Sequence, residues 1–326
     1  MNINNFKKYL LFIIFIFCFI DNVCSYEIIT IRHQDIATYS TILKAFNAQF
    51  ANKPNYIIKH FNGEDDIIKV NMFIKSLKYN KPDLILGIGS ITSQILLKEI
   101  AQTPVIITGL GSPSAIIHNW ETSNSNWTGV ELKDSIYHSL NLLNKFLYIR
   151  TIGILIIQNE PSHIGASNEV SMFAKENNII FRMTSFNNRD KKNNRLSKHE
   201  MQKNIETSLD SLLPYIDTLY LNVSKTYVDN IDLIKRKLRQ YKVLSIGSNI
   251  YFGSGIVIGI ESDHELRGTL CADYAVKILE LHQNPKNFKL NMIPSFTIDL
   301  DLNEANKVNF SPNISFLTNK VNLHIK

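Results

Sequence analysis

Two stretches of the chain repeat one pattern: Lys81-Pro82-Asp83-Leu84-Ile85-Leu86-Gly87-Ile88-Gly89-Ser90 and Ile216-Asp217-Thr218-Leu219-Tyr220-Leu221-Asn222-Val223-Ser224-Lys225. Each is an acidic turn residue, an apolar run of strand length, and then small or hydroxylated residues. A second buried run follows each of them, Val105–Thr108 after the first and Val243–Ile246 after the second. Buried runs of this kind separated by helical periodicity specify parallel sheets with right-handed crossovers. One such unit fits any α/β protein, whereas two with polar residues at the carboxyl ends of their strands predict two similar lobes facing a cleft.

The rest of the chain extends the alternation. Strands are expected at 28–31, 57–61, 84–88 and 105–108, with helices at 39–50, 67–79 and 91–100 between them. A second series has strands at 152–157, 179–184, 218–223, 243–246 and 255–260, and helices at 168–176, 201–213, 228–241 and 265–281. With 326 residues, 44% of them apolar, the chain can bury a full core in each of two domains.

Residues 1–25 stand apart. Lys7 and Lys8 precede an apolar run from Tyr9 to Ile20, and Val23 and Ser25 occupy the small-residue positions of a cleavage site. That is the outline of a signal peptide cut after Ser25; a transmembrane span needs about 20 apolar residues. Retention as an anchor and lipidation at Cys24 are the alternatives. Of the three cysteines, Cys18 and Cys24 fall in this segment. The remainder carries Cys271 alone, on a helical pattern where a buried thiol is expected, so no internal disulfide can form.

The net charge of +6 is mild. Its basic clusters, 189–195 and 235–239, read as a polar loop and as the solvated face of a helix. Neither is interleaved with aromatics, which argues against a nucleic-acid partner.

In open parallel sheets ligands bind beyond the carboxyl ends of the strands. The residues there are Gly89, Ser90 and Thr92; Gly111 and Ser112; Asn159, Glu160 and Ser162; Ser224 and Tyr227; and Ser248 and Asn249. Free amides and hydroxyls at helix N-termini attract carboxylate or phosphate groups, although the same residue types also serve as plain N-caps. His33 and Glu160 add charge. The nucleophile elbow, the phosphate-binding P-loop, the H-E-x-x-H helix and metal-ligand spacings are all missing from the sequence. Neither a cofactor nor a metal is expected.

The ordered motifs at 82–90, Thr103–Pro113, Asn126–Val130, Ile152–Leu155, Gly255–Ile260, Glu265-Leu266-Arg267-Gly268 and Ala275–Leu279 resemble the ABC-transporter substrate-binding proteins of the tryptophan- and tyrosine-associated type. The resemblance implies a type I periplasmic-binding-protein architecture, α/β, with two similar lobes of helix-flanked parallel sheet. It implies crossings that divide the chain into 26–125 with 252–290 and 126–251 with 291–326. Where such proteins commonly carry Asp-Pro this chain has Ser112-Pro113, and Ser224 stands near an acidic position of the second lobe.

The function implied is that of a periplasmic solute receptor, non-enzymatic and monomeric. It would close on a small polar solute, with an amino acid or related carboxylate among the candidates, and deliver it to an ABC permease in the inner membrane. An exported hydrolase or transferase using the same cleft, and a ligand-sensing module of a membrane regulator, are the competing readings.

Overall fold

The computed structural model describes residues 25–111, 126–132, 136–158, 160–191, 194–251, 253–288, 291–293, 296–313, 316–317 and 321–324. The expected signal peptide, and with it Ser112 and Asn159, lies outside the described residues, apart from Ser25.

The first series runs β1 (Tyr26–Arg32), α1 (Ala37–Ala48), β2 (Tyr56–Asn62), α2 (Ile67–Ser76), β3 (Leu84–Ile88), α3 (Ser90–Glu99), β4 (Val105–Thr108) and β5 (Trp127–Leu132). After α4 (Ile136–Leu143) the second series runs β6 (Thr151–Ile157), α5 (Pro161–Glu176), β7 (Ile180–Phe186), α6 (Lys198–Leu212), β8 (Thr218–Leu221), α7 (Lys225–Val228), α8 (Ile231–Tyr241), β9 (Leu244–Ser248) and β10 (Ile258–Ser262). The chain continues through α9 (His264–Leu279), β11 (Asn291–Ile293), β12 (Phe296–Asp301), α10 (Leu302–Lys307) and β13 (Val321–His324).

These strands form two sheets. Their orders among the described residues are β11-β5-β4-β3-β1-β2 and β13-β12-β10-β9-β8-β6-β7. The segments β2-β1-β3-β4-β5 and β7-β6-β8-β9-β10 therefore share one topology, all parallel. Among the described strands, β10 and β12 are the one antiparallel pair. In such an order the chain reverses its winding between β1 and β3, and again between β6 and β8. Loops diverge at those points and leave a crevice at the carboxyl ends.

The repeated acids that begin the two matching stretches do the same work in both lobes. Asp83 accepts from the Glu27 N–H at 2.7 Å, pinning the start of β3 to β1. Asp217 accepts from the N–H groups of Arg150 and Thr151 at 3.1 and 3.2 Å, pinning β8 to β6.

Each sheet is buried on both faces, which is why its strands read as apolar runs rather than alternations. In the first, Ile28, Leu84, Leu86 and Ile106 pack under Phe46 of α1 and Cys271 and Ala275 of α9. On the opposite face Ile29, Ile31 and Ile85 pack under Val70 and Ile74 of α2 and Leu96 of α3. Each fully buried Leu or Ile contributes about 1.5–3 kcal/mol. Burial also pushes the Cys271 thiol up to about 12, as befits a core residue.

The crossings between lobes fall later than expected. β5 pairs with β4 in the first sheet, so the chain leaves that lobe after residue 132 rather than at 126. β10 pairs with β9 and β12 in the second sheet, so the return comes at Asp263 rather than 252. β11 pairs with β5, so residues 291–293 still belong to the first lobe. The same rule governs all three: each strand finds its hydrogen-bonding partner in the sheet the chain is about to leave. The basic helix differs too, since Lys237 of α8 is buried against Glu206 and Asp210 of α6 instead of solvated.

Candidate functional site

The carboxyl ends of the two sheets face each other across a cavity of about 140 Å³. That is close to the size of a cavity that holds benzene, a scale of about 6–10 non-hydrogen atoms. Seven of the expected residues line it: His33, Gly89, Ser90 and Gly111 from the first lobe, and Glu160, Ser162 and Ser248 from the second.

On the first wall the turn from β3 into α3 is shaped by Gly89. Its φ is +94°, and a β-carbon there would lie 2.5 Å from the Tyr39 hydroxyl, so no side chain fits. The turn sets Ser90 at the first position of α3, where its Oγ accepts from the Gly111 N–H at 3.2 Å. The preceding amide, Leu110 N–H, donates to the buried Glu131 carboxylate at 3.1 and 3.3 Å. Two side chains thus hold the loop after β4 against the cavity, and Gly111 meets Ser162 across it.

On the second wall Glu160 precedes α5 but does not cap it. Its Oε1 accepts from Asn188 Nδ2 at 3.0 Å and from Ser224 Oγ at 3.3 Å, and its Oε2 lies 3.2 Å from His163 Nε2. His163 Nδ1 accepts from the Ile157 N–H at 3.3 Å, which leaves the proton on Nε2, towards Glu160. Burial alone would raise the Glu160 carboxyl, but His163, His33 and Ser224 outweigh it and hold the group below the usual carboxylate range. Glu160 is therefore a fixed negative charge at neutral pH.

A bridge joins the two walls. Asp65, in the turn before α2, has φ +67°, and the preceding Glu64 has φ +55°. Two consecutive left-handed non-glycine residues are unusual. The turn presents the Asp65 carboxylate to Arg189 and Arg195 of the second lobe and to His33 Nε2 at 3.4 Å. Arg195 also pairs with Asp229 at 3.0 Å. Arg189 and Arg195, expected in a plain polar loop, clamp Asp65 instead. Burial lowers the His33 pKa, which Asp65 and Glu160 resist and the two arginines reinforce, so its ring is neutral at pH 7.

Four expected residues do not line the cavity. Thr92 is fully buried behind it, in the core beside Gly87. Ser224 caps α7 through the Thr226 N–H at 3.2 Å and donates to Glu160, so it positions that carboxylate. Tyr227 donates its hydroxyl to the Leu155 carbonyl at 2.8 Å and packs edge-on against His163, inside the core. Asn249 begins a short 3-10 turn after β9, beside the cavity rather than in its wall. Tyr251 is also internal, donating to the Asn222 carbonyl at 2.7 Å.

The wall includes residues that the sequence reading passed over, chiefly Tyr39, Asn222, Glu169, Ser262, His264 and Arg267. Asn222 lies inside one of the repeated stretches, two residues before the Ser224 chosen instead. Arg267 has a clearer signal: it falls four residues before Cys271 on the buried stripe of α9, where a charge is out of place. Among the described residues no group of three or more His, Cys, Asp or Glu side chains is arranged to hold a metal ion.

Residues 29–321 match the family model described as ABC transporter substrate binding protein. A conserved domain protein from Vibrio cholerae superposes with a TM-score of 0.78 at 15% identity, covering 92% of this chain and 100% of that one. An ABC domain from Streptococcus pneumoniae, solved in complex with L-Trp, gives 0.78 at 16% over the same shares. A ligand-free, open substrate binding protein with adhesive properties from Clostridium difficile gives 0.66 at 17%, covering 92% and 99%. At these identities the structures establish likeness of fold. No curated protein matched the sequence.

Proposed function

Since the chain belongs to the ABC transporter substrate-binding protein family, we propose that it captures its solute in the interlobe cavity and hands it to a membrane permease, as a monomer, outside the cytoplasm. The family implies a small-molecule ligand, an ABC permease as partner, and an extracytoplasmic place of work. The N-terminal segment would supply export. Among the described residues no helix is long and apolar enough to cross a membrane.

The observation that carries the reading is the paired topology, in which two sheets of one strand order turn their carboxyl ends towards a shared cavity. A solute touching Ser90 and the 109–111 loop on one side and Glu160, Ser162 and Asn222 on the other gains its full contacts only when the lobes are together. It therefore shifts the population towards the closed form, by as much as it binds that form better. The Asp65 clamp favours the same form. Capture and release make and break no covalent bond.

The cavity volume and its mixture of fixed charges support a small polar solute, with an amino acid or related carboxylate within range. Affinity capture from detergent-solubilised membranes of the source cell, with the tagged solute-loaded protein as bait, tests the partnership. Recovery of an ABC permease is expected; recovery of a sensor kinase instead would move the protein to signalling.

A further inference from the structure

We infer that Arg267 anchors an anionic end, a carboxylate, of the captured solute; this rests on the capture reading above. Arg267 lines the interlobe cavity and is 3% exposed. Its Nε and Nη2 are buried and have no hydrogen-bond partner, and among the described residues none of the ion pairs includes it. A guanidinium cannot shed its charge at any accessible pH. A buried charge without a partner is costly, so the protein keeps a donor set here that nothing among the described residues satisfies.

The position is built rather than incidental. Gly268 lets α9 settle onto α1, since a β-carbon there would lie 2.3 Å from the Ile42 carbonyl oxygen. Arg267 lies in the first turn of α9, a sixteen-residue helix whose amino end adds a positive field. Ser262 and His264 line the same corner. Burial and the Arg267 charge keep His264 neutral, so the guanidinium is the fixed cation of that corner.

The opposite wall has the other sign, with Glu160 and Glu169 lining the second lobe. Glu169 already accepts from the Tyr137 N–H at 3.3 Å. An anionic group is repelled there and drawn to Arg267, which fixes the solute's orientation: its carboxylate towards the first lobe and a hydrogen-bond-donating end towards the second. Such a solute spans the cleft, as closure requires. The planar fork of Arg267 suits two carboxylate oxygens together.

The test uses the purified protein, stripped of solute by unfolding and refolding, with Arg267→Met and Arg267→Lys variants. The probes are acetate, its neutral isostere acetamide, and myo-inositol, at matched ionic strength. Acetate should raise the Tm of the wild type and acetamide should not. Arg267→Met should melt above the wild type without any probe, because an uncompensated charge has gone, and it should lose the acetate response; Arg267→Lys should keep a reduced response. An Arg267→Met protein that melts below the wild type, or that still responds to acetate, overturns the assignment. Stabilisation of both proteins alike by myo-inositol would leave capture standing and remove Arg267 from it. Conversion of a retained solute during incubation would instead remove the capture reading itself.

Discussion

Arg189 of the second lobe donates from Nη2 both to the main-chain oxygen of Asp65 at 2.6 Å and to its carboxylate at 3.2 Å, joining the lobes beside the cavity. Both side chains are nearly buried, 6% and 10% exposed, so the pair is poorly screened by salt. Arg189→Met leaves Arg195 on Asp65 and should weaken closure by about 2 kcal/mol, roughly thirtyfold in solute affinity. Titration calorimetry with the solute that co-purifies reads the affinity, and small-angle scattering reads the opening. Unchanged affinity and radius of gyration would show that the clamp has no part in closure.

Ser90 and Thr92, two residues apart on α3, separate cleanly. Ser90→Ala frees the Gly111 amide from its hydroxyl and should lower solute affinity by about 1 kcal/mol, near fivefold. Thr92→Val retains shape in a fully buried place where the hydroxyl has no partner, and should leave affinity unchanged with equal or greater stability. Equal losses in both variants would mean that the first wall has been drawn wrongly.

Acid should destabilise the protein through His264. Burial lowers its pKa from 6.5 to about 4, with Arg267 acting in the same direction and Asp263 against it. The unfolded chain takes up its proton at the ordinary value, so between those pH values the unfolded state holds more protons. The contribution is complete above pH 6.5 and is lost as pH falls to 4, about 3 kcal/mol in all. Urea unfolding between pH 7.5 and 4.5 should show the fall, and His264→Gln should flatten it. Some slope will remain, because His33 shifts in the same direction.

Gly268→Ala places a methyl against the Ile42 carbonyl, which belongs to a helix backbone and cannot rotate aside. Pushing α9 off α1 should cost about 2–3 kcal/mol of stability and displace Arg267 from the cavity. Thermal melts and solute affinity should fall together; a neutral substitution would contradict the close helix contact.

The doubled architecture was legible because the repeated stretches carry their own explanation: Asp83 and Asp217 tie strand to strand in the same way in both lobes. His33, Ser90, Glu160 and Ser248 were legible from their places at strand ends. Ser224 and Tyr227 occupy similar places but turn inward, to Glu160 and to the Leu155 carbonyl, and chain position alone does not tell a hydroxyl facing the cleft from one engaged behind it. The crossings were missed because nothing local in β5, β10 or β11 tells which sheet the strand completes; that is settled by a pairing partner distant in the chain. Arg189 and Arg195 were read as a solvated loop because their partner, Asp65, is more than a hundred residues away.

The most direct test of the central claim is native mass spectrometry of the protein isolated from its source, followed by incubation and release of whatever it holds. One small solute per chain, retained non-covalently by the wild type and released unchanged, is the predicted result. A bound species that is converted to product during incubation would contradict capture and point to catalysis in the cleft.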